Sequence, residues 1–193
     1  MEYKYLLEVL KAGLYEEFFE DFKVAMVCFH DPAIYGRSPL ENSSFLVSSA
    51  HPDESLHGAG FVARLSGATA EFLSIWQEMM AGPRPFFVRG GELCLAFRPT
   101  LPGWLFDASG TLSFTFLGQV PVVYHNPQRR DIIPGQGPGI HSLTLHLPDG
   151  RQVACDTGVV GEPYARAVRQ GRITKIEISF QDDSRAIDRR DRP

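Results

Sequence analysis

Ser66-Gly67-Ala68-Thr69 stands directly before an apolar stripe of helical spacing: Phe72, Leu73, Ile75, Trp76, Met79 and Met80. Ser66 is a good N-cap residue, Gly67 and Ala68 leave backbone N–H groups uncovered, and Thr69 adds a hydroxyl. A helix start carries unpaired N–H donors and roughly half a positive charge, so it can hold a phosphate without a dedicated cation. Arg64 can add a charge-assisted bond to the same anion. An isolated Ser-Gly-x-Thr is more often a plain helix cap, so this segment alone leaves both readings open. Residues 34–76 around it are crowded with Arg, Glu, Asn, Ser and His, as in loops on which sites are built.

Other groupings carry less chemistry. His51 and His57, flanking Asp53 and Glu54, could ligate a metal, but a loop meeting sugar hydroxyls or water is the favoured reading. His125, His141 and His146 lie among strands, where a cupin-like metal site is one reading. The odd spacing of His141 and His146 puts them on opposite faces of a straight strand, which favours structural roles. Gly135-Gln136-Gly137-Pro138-Gly139 lacks the Gly-Lys-Ser/Thr of a phosphate-binding loop and reads as a connection. Cys28 near His30 reads as a buried thiol rather than a nucleophile pair. Trp104 and Phe106 read as core packing, with sugar stacking as the alternative.

The elements that position these residues change character once along the chain. Leu6, Leu7, Val9, Leu10, Leu14, Phe18, Phe19 and Phe22 recur at threes and fours, with Gly13 expected to bend or divide the helix. A short helix is expected around residues 41–49, and the stripe before Gly82-Pro83 makes another. After about Pro85 the period becomes two: Leu93, Leu95 and Phe97; Leu112, Phe114 and Phe116; Leu143, Leu145 and Leu147; Ile176, Ile178 and Phe180. Turn signals at Gly90-Gly91, Ser109-Gly110, Asp149-Gly150 and Gln170-Gly171 separate these runs. The expectation is an α+β chain: a helical segment over 1–84, an antiparallel β-sandwich over 85–181, and a solvated, disordered tail over 182–193, where eight of twelve residues are charged.

Composition narrows the function classes. The chain has 193 residues and a net charge of −4, which offers no basic field for nucleic acid or an anionic membrane. The longest clean apolar run, Val24–Phe29, has six residues, where a membrane span needs about 20. The charged N-terminal turns do not resemble a signal peptide. Three widely spaced cysteines, Cys28, Cys94 and Cys155, form neither a disulfide framework nor a Cys-x-x-Cys site, so a reducing cytoplasm is expected.

ENSSFLVSSA, then ARLSGATAEFLSIW, PGWLFDASGTLSFTFLG and VVYHNP, in that order and spacing, resemble the C-terminal portion of the inverting glycoside phosphorylases. These are the cellobiose and 1,2-β-oligoglucan phosphorylases of glycoside hydrolase family 94, and the oligoglucan branch is the more similar. The resemblance runs from about Lys4 to Phe180. It implies that the N-terminal helices are the last part of an (α/α)6 barrel and that the strands form the C-terminal β-sandwich.

It also implies a site. In such enzymes one carboxylic acid protonates the glycosidic oxygen while inorganic phosphate attacks the anomeric carbon from the opposite face. Phosphate replaces the base-activated water of an inverting hydrolase, so one catalytic carboxylate suffices. The family's Gly-Thr-Ala segment at a helix start matches Ala68-Thr69-Ala70, preceded here by Ser66-Gly67. Its Glu-Asn-Gly-Gly-Gln-Tyr-Thr-His segment begins at Glu41-Asn42, and its phosphate-binding His falls on Ser48, a departure that argues against cellobiose. The implied phosphate contacts are therefore Ser48, Arg64, Ser66, Gly67 and Thr69, and the implied sugar contacts Arg37, Glu41 and Asn42. No metal or organic cofactor is implied; inorganic phosphate is the co-substrate and a β-glucan oligosaccharide the partner.

The family's catalytic Asp lies upstream of the Glu-Asn segment, and none of Asp31, Asp53 and Glu54 resembles it. A barrel of twelve helices at about 11–12 residues each takes on the order of 140 residues, whereas about 80 precede the strands. The expectation is a fragment or subunit without phosphorylase activity alone, completed by a companion chain and prone to self-association through uncovered apolar faces. A non-catalytic sugar-binding β-sandwich is the alternative, and a cupin-like metal enzyme the third reading.

Overall fold

The computed structural model describes residues 2–38, 43–63, 68–155 and 158–181. Helices and strands combine in a mixed α+β arrangement, with most of the helices in the first half and most of the strands in the second. The chain divides into two compact units, Met1–Gln77 and Glu78–Pro193.

The first unit opens with α1 (Glu2–Lys11) and α2 (Tyr15–Ala25). Gly13 divides them at φ 77°. Its N–H bonds the Leu10 carbonyl at 3.1 Å, and the Leu14 N–H reaches back to Val9 at 3.2 Å. That paired return bond ends a helix on a left-handed residue, which glycine adopts without a Cβ penalty. The helical period then appears as burial. Leu6, Leu7, Val9 and Leu10 of α1 and Phe18, Phe19 and Phe22 of α2 are all buried. A third helix, α3 (Pro32–Tyr35), starts where the Asp31 carboxylate accepts the Ala33 N–H at 2.9 Å.

β1 (Ser43–Leu46) and β2 (Gly60–Ala63) form an antiparallel hairpin. The helix expected around residues 41–49 is thus a strand over Ser43–Leu46. Phe45 and Leu46 are as compatible with a strand as with a helix, and so short a segment shows no full helical period; pairing with β2 decides. α4 (Ala68–Ala81) is the helix announced by the second stripe. Its N-terminal part faces α1, with the Tyr3 and Phe72 rings 6.4 Å apart and Lys4 Nζ 3.9 Å from Glu71 Oε1. Only part of the stripe is covered: Ile75, Met79 and Met80 are buried, whereas Leu73 is 61% and Trp76 41% exposed.

The second unit begins in the last turn of α4. Helix ends leave carbonyls without partners, and here three are taken up. Thr100 N–H bonds the Met79 carbonyl at 2.9 Å, Arg98 N–H bonds Ala81 at 3.1 Å, and the Tyr124 hydroxyl donates to Met80. β3 (Phe86–Arg89), β4 (Glu92–Ala96) and β9 (Val159–Val160) make a three-stranded sheet in the order β3-β4-β9. β5 (Thr111–Phe116), β6 (Val120–His125), β7 (Ile140–His146), β8 (Gln152–Ala154) and β10 (Lys175–Phe180) make the second sheet, ordered β5-β6-β10-β7-β8.

The expectation of uniformly antiparallel strands needs correcting. β10 lies between β6 and β7, antiparallel to β7 but parallel to β6. Alternation in sequence reports which side chains face the core and says nothing of strand direction. A short helix, α5 (Tyr164–Arg169), lies in the connection that leads to β10. Val122, Tyr124, Leu143, Leu145, Ile176 and Ile178 form the buried face of the larger sheet. Aromatic rings join the two sheets: Phe116 lies 5.9 Å from Phe86 and 5.1 Å from Phe97. Among the described residues, no helix is long and apolar enough to cross a membrane.

Candidate functional site

The hairpin end of the first unit is built on Tyr35, the last residue of α3. Its ring is fully buried. Its hydroxyl donates to Ser43 Oγ at 2.7 Å and accepts the Ser43 N–H at 2.9 Å. A Cβ added at Gly60 would lie 2.3 Å from the Tyr35 ring and 2.6 Å from Ser43 Oγ. Glycine is therefore what lets β2 pass this close to the tyrosine. Arg37, one of the expected sugar contacts, donates from Nε to the Gly60 carbonyl at 2.8 Å. Tyr35 and Arg37 together tie the start of β1 and the start of β2 to the α3 turn.

Ser43 is paired with Ala63 across the hairpin. The chain therefore enters β1 and leaves β2 at the same end, directly beside one another. The expected sugar contacts Glu41 and Asn42 immediately precede Ser43, and the expected phosphate contacts Arg64, Ser66 and Gly67 immediately follow Ala63; all five lie outside the described residues. Thr69 falls in the first turn of α4, and Ala70 after it is exposed.

Ser48 sits elsewhere. It follows β1 at the loop end of the hairpin, five residues from Ser43, or about 16 Å along an extended strand. The ladder continues past β1 through Val47 N–H to the Ala59 carbonyl at 3.0 Å, so Ser48 lies beyond it. Its hydroxyl accepts the Ala50 N–H at 3.3 Å and shapes its own turn. The hairpin thus does not bring Ser48 to the end where the other expected phosphate contacts begin.

The loop between the strands is organised from within. Asp53 accepts from the Ser55 N–H at 3.0 Å and the Ser55 hydroxyl at 2.7 Å. His51 Nδ1 accepts the Asp53 N–H at 3.1 Å, and His57 Nε2 donates to the His51 carbonyl at 2.8 Å. Both imidazoles therefore hold backbone rather than each other. Among the described residues, no group of three His, Cys, Asp or Glu side chains is arranged to hold a metal ion.

A second polar grouping lies on the outer face of the five-stranded sheet. Glu177 of β10 accepts from His146 at 2.6 Å and from Lys175 at 2.8 Å, with His125 Nε2 at 3.7 Å. The Lys175 bond, and after it the His146 bond, holds the Glu177 carboxyl below the usual range despite its partial burial. Strand parity separates His141 from His146 but cannot show that β10 inserts a carboxylate between His146 and His125. Only the register, Lys175 opposite His146 and Ser179 opposite His125, does that.

Two further readings are settled by burial. Cys28 is exposed, not buried, because it sits in the 3₁₀ turn Val27–Phe29 after α2. Local desolvation pushes its thiol up, away from a thiolate, and His30 Nε2 donates instead to the Val24 carbonyl at 2.7 Å. Phe106 is buried as expected, whereas Trp104 is 36% exposed. No protein-family model matches this chain, and no curated protein matches it.

Proposed function

We propose that this chain is a C-terminal fragment or subunit of an inverting glycoside phosphorylase, supplying part of its phosphate and sugar site while the general acid comes from elsewhere. In this reading the helices of the first unit belong to an (α/α)6 barrel and the two sheets of the second unit form its β-sandwich domain. The observation that carries it is the pairing of Ser43 with Ala63. The Glu41-Asn42 and Arg64–Thr69 segments lie 22 or more residues apart in sequence, yet they are attached to two residues that face each other across one hairpin end. A phosphorylase needs that proximity, because phosphate must be held in line with the scissile bond of the sugar it attacks.

The roles follow from chemistry. Glu41 and Asn42 hydrogen-bond sugar hydroxyls. Backbone N–H groups at the start of α4, with Arg64, neutralise the phosphate. Arg37, a sugar contact in this reading, also positions the hairpin end through its Nε bond to the Gly60 carbonyl. The acid that protonates the leaving oxygen is not among these residues, so the chain binds phosphate but does not turn over alone.

The test is phosphorus NMR titration of the full chain with inorganic phosphate, alongside phosphate release and uptake assays with β-glucans. Saturable binding that weakens about tenfold in Arg64→Gln, corresponding to about 1.4 kcal/mol, with no turnover, is the expected result. Absence of saturable binding removes the phosphate site. Turnover by the purified chain refutes the missing acid.

A further inference from the structure

The second unit contains an open cleft of about 410 Å³ that none of the preceding roles uses. It lies between the end of β4, the connection from β6 to β7, and the end of β10. Its size falls within the range of small-molecule sites. The cleft exists because the connection has few side chains to fill it. Residues 133–136 make a turn with Pro134 second and Gly135 third at φ 78°, closed by Gln136 N–H to the Ile133 carbonyl at 3.1 Å. Gly137 is wedged: a Cβ there would lie 2.6 Å from the Asp131 carbonyl and 2.7 Å from the Ile133 nitrogen. The Gly139 carbonyl accepts Gln181 N–H at 2.9 Å, which fixes the loop to the residue after β10. These bonds make the loop a built wall.

The lining has one sign of charge. Among the described residues, Arg98 is its single cation and no Asp or Glu lines it. Arg98 is exposed, and among the described residues its side chain makes no hydrogen bond or ion pair. Gly135 and Gly139 also line the cleft, and their N–H groups are unbonded among the described residues. The rest of the described lining is apolar, including Phe97, Ile133, Pro138 and Phe180, with no side-chain hydroxyl or carboxamide among the described residues of the wall. A sugar or a sugar phosphate would leave its hydroxyls unsatisfied against such walls. A guanidinium and free amides beside apolar surface instead match a planar monoanion with an apolar substituent.

We propose that this cleft binds a small carboxylate with an apolar body, the carboxylate on Arg98 and the Gly135 and Gly139 amides, the body against Phe97, Ile133 and Phe180. This site lies wholly in the second unit and stands independently of the phosphorylase reading.

The test titrates the full chain with phenylpropionate, its neutral amide phenylpropionamide, acetate and inorganic phosphate, read by amide NMR shifts. Phenylpropionate should shift Gly135 and Gly139 saturably, at least tenfold more tightly than the amide, acetate or phosphate. Arg98→Gln should weaken phenylpropionate at least tenfold and leave the amide's affinity unchanged. Gly139→Leu should weaken binding by adding a bulky side chain to a residue that lines the cleft. A Cβ there meets only the Gln181 side chain, at 3.8 Å, so the fold is retained and the remaining spectrum checks it. The proposal is overturned if phenylpropionate leaves those amides unmoved, if the neutral amide binds equally, or if phosphate or acetate matches phenylpropionate.

Discussion

Replacing Tyr124 with Phe isolates one hydrogen bond inside the second unit, between the larger sheet and the helical turn at Met80 with which that unit begins. The Tyr124 ring is fully buried and packs against Phe97, Phe114 and Phe180 at 6.4, 5.5 and 5.4 Å. Phenylalanine keeps all three contacts and removes only the hydroxyl. The Met80 carbonyl then loses its donor in a residue just 2% exposed, where water has no access. An unsatisfied buried acceptor costs about 1–3 kcal/mol. With an m-value of about 1–3 kcal/mol per molar urea, the midpoint should fall by roughly 1 M.

The assay is equilibrium urea unfolding followed by tryptophan fluorescence in a Trp76→Phe background. This leaves Trp104 of the second unit as the single indole, the sequence having two. A second arm uses pH. Burial pushes the Tyr124 phenol well above its ordinary value. A group whose folded pKa is raised stabilises below its unfolded pKa, so that contribution is present up to about pH 10 and is lost as pH rises beyond it. The gap between parent and variant should therefore narrow above pH 10. A Tyr124→Phe protein within 0.3 kcal/mol of its parent, or a gap unchanged up to pH 11, would refute this account of how the Met80 turn is held.

Gly60→Ala should destabilise the first unit by about 1–3 kcal/mol, since its Cβ must displace the fully buried Tyr35 ring or Ser43; Trp76 fluorescence in a Trp104→Phe background reads it. Gly103→Ala should leave the second unit unfolded, seen as loss of dispersed amide signals. Its Cβ would stand 1.8 Å from the Arg129 carbonyl, and backbone cannot yield as a side chain does. Glu177→Gln should cost under about 1 kcal/mol at neutral pH, because the cluster is solvated. The depressed carboxyl contributes stability above its ordinary pKa and loses it as pH falls, so parent stability should drop more steeply than the variant's below about pH 4 in thermal melts.

Much of the local structure is legible in the order of residues. Gly13 marks the end of α1, the Leu and Phe spacing marks the buried faces of α1 and α2, and Gly82-Pro83 marks the end of α4, because each is a property of a few neighbouring residues. The strand over Ser43–Leu46 is not legible in the same way. Its four residues are too few to display a period, and their partner Gly60–Ala63 lies across an intervening loop. The exposure of Cys28 escapes sequence for a related reason: an apolar run implies burial, but the 3₁₀ turn after α2 breaks the helix that would bury it.

The candidate sites divide along the same line. Residue types and local spacing are enough to mark the segments around Glu41 and Thr69 as chemically equipped, since capping, charge and uncovered amides are local matters. Their attachment to one hairpin end is decided by the pairing of Ser43 with Ala63 and by a tyrosine that only a glycine can approach. The same holds for the Glu177 cluster and for the cleft beside Arg98. Strand direction, register and the emptiness left by a glycine loop depend on residues far apart in the chain, whose contacts exist only once it has folded.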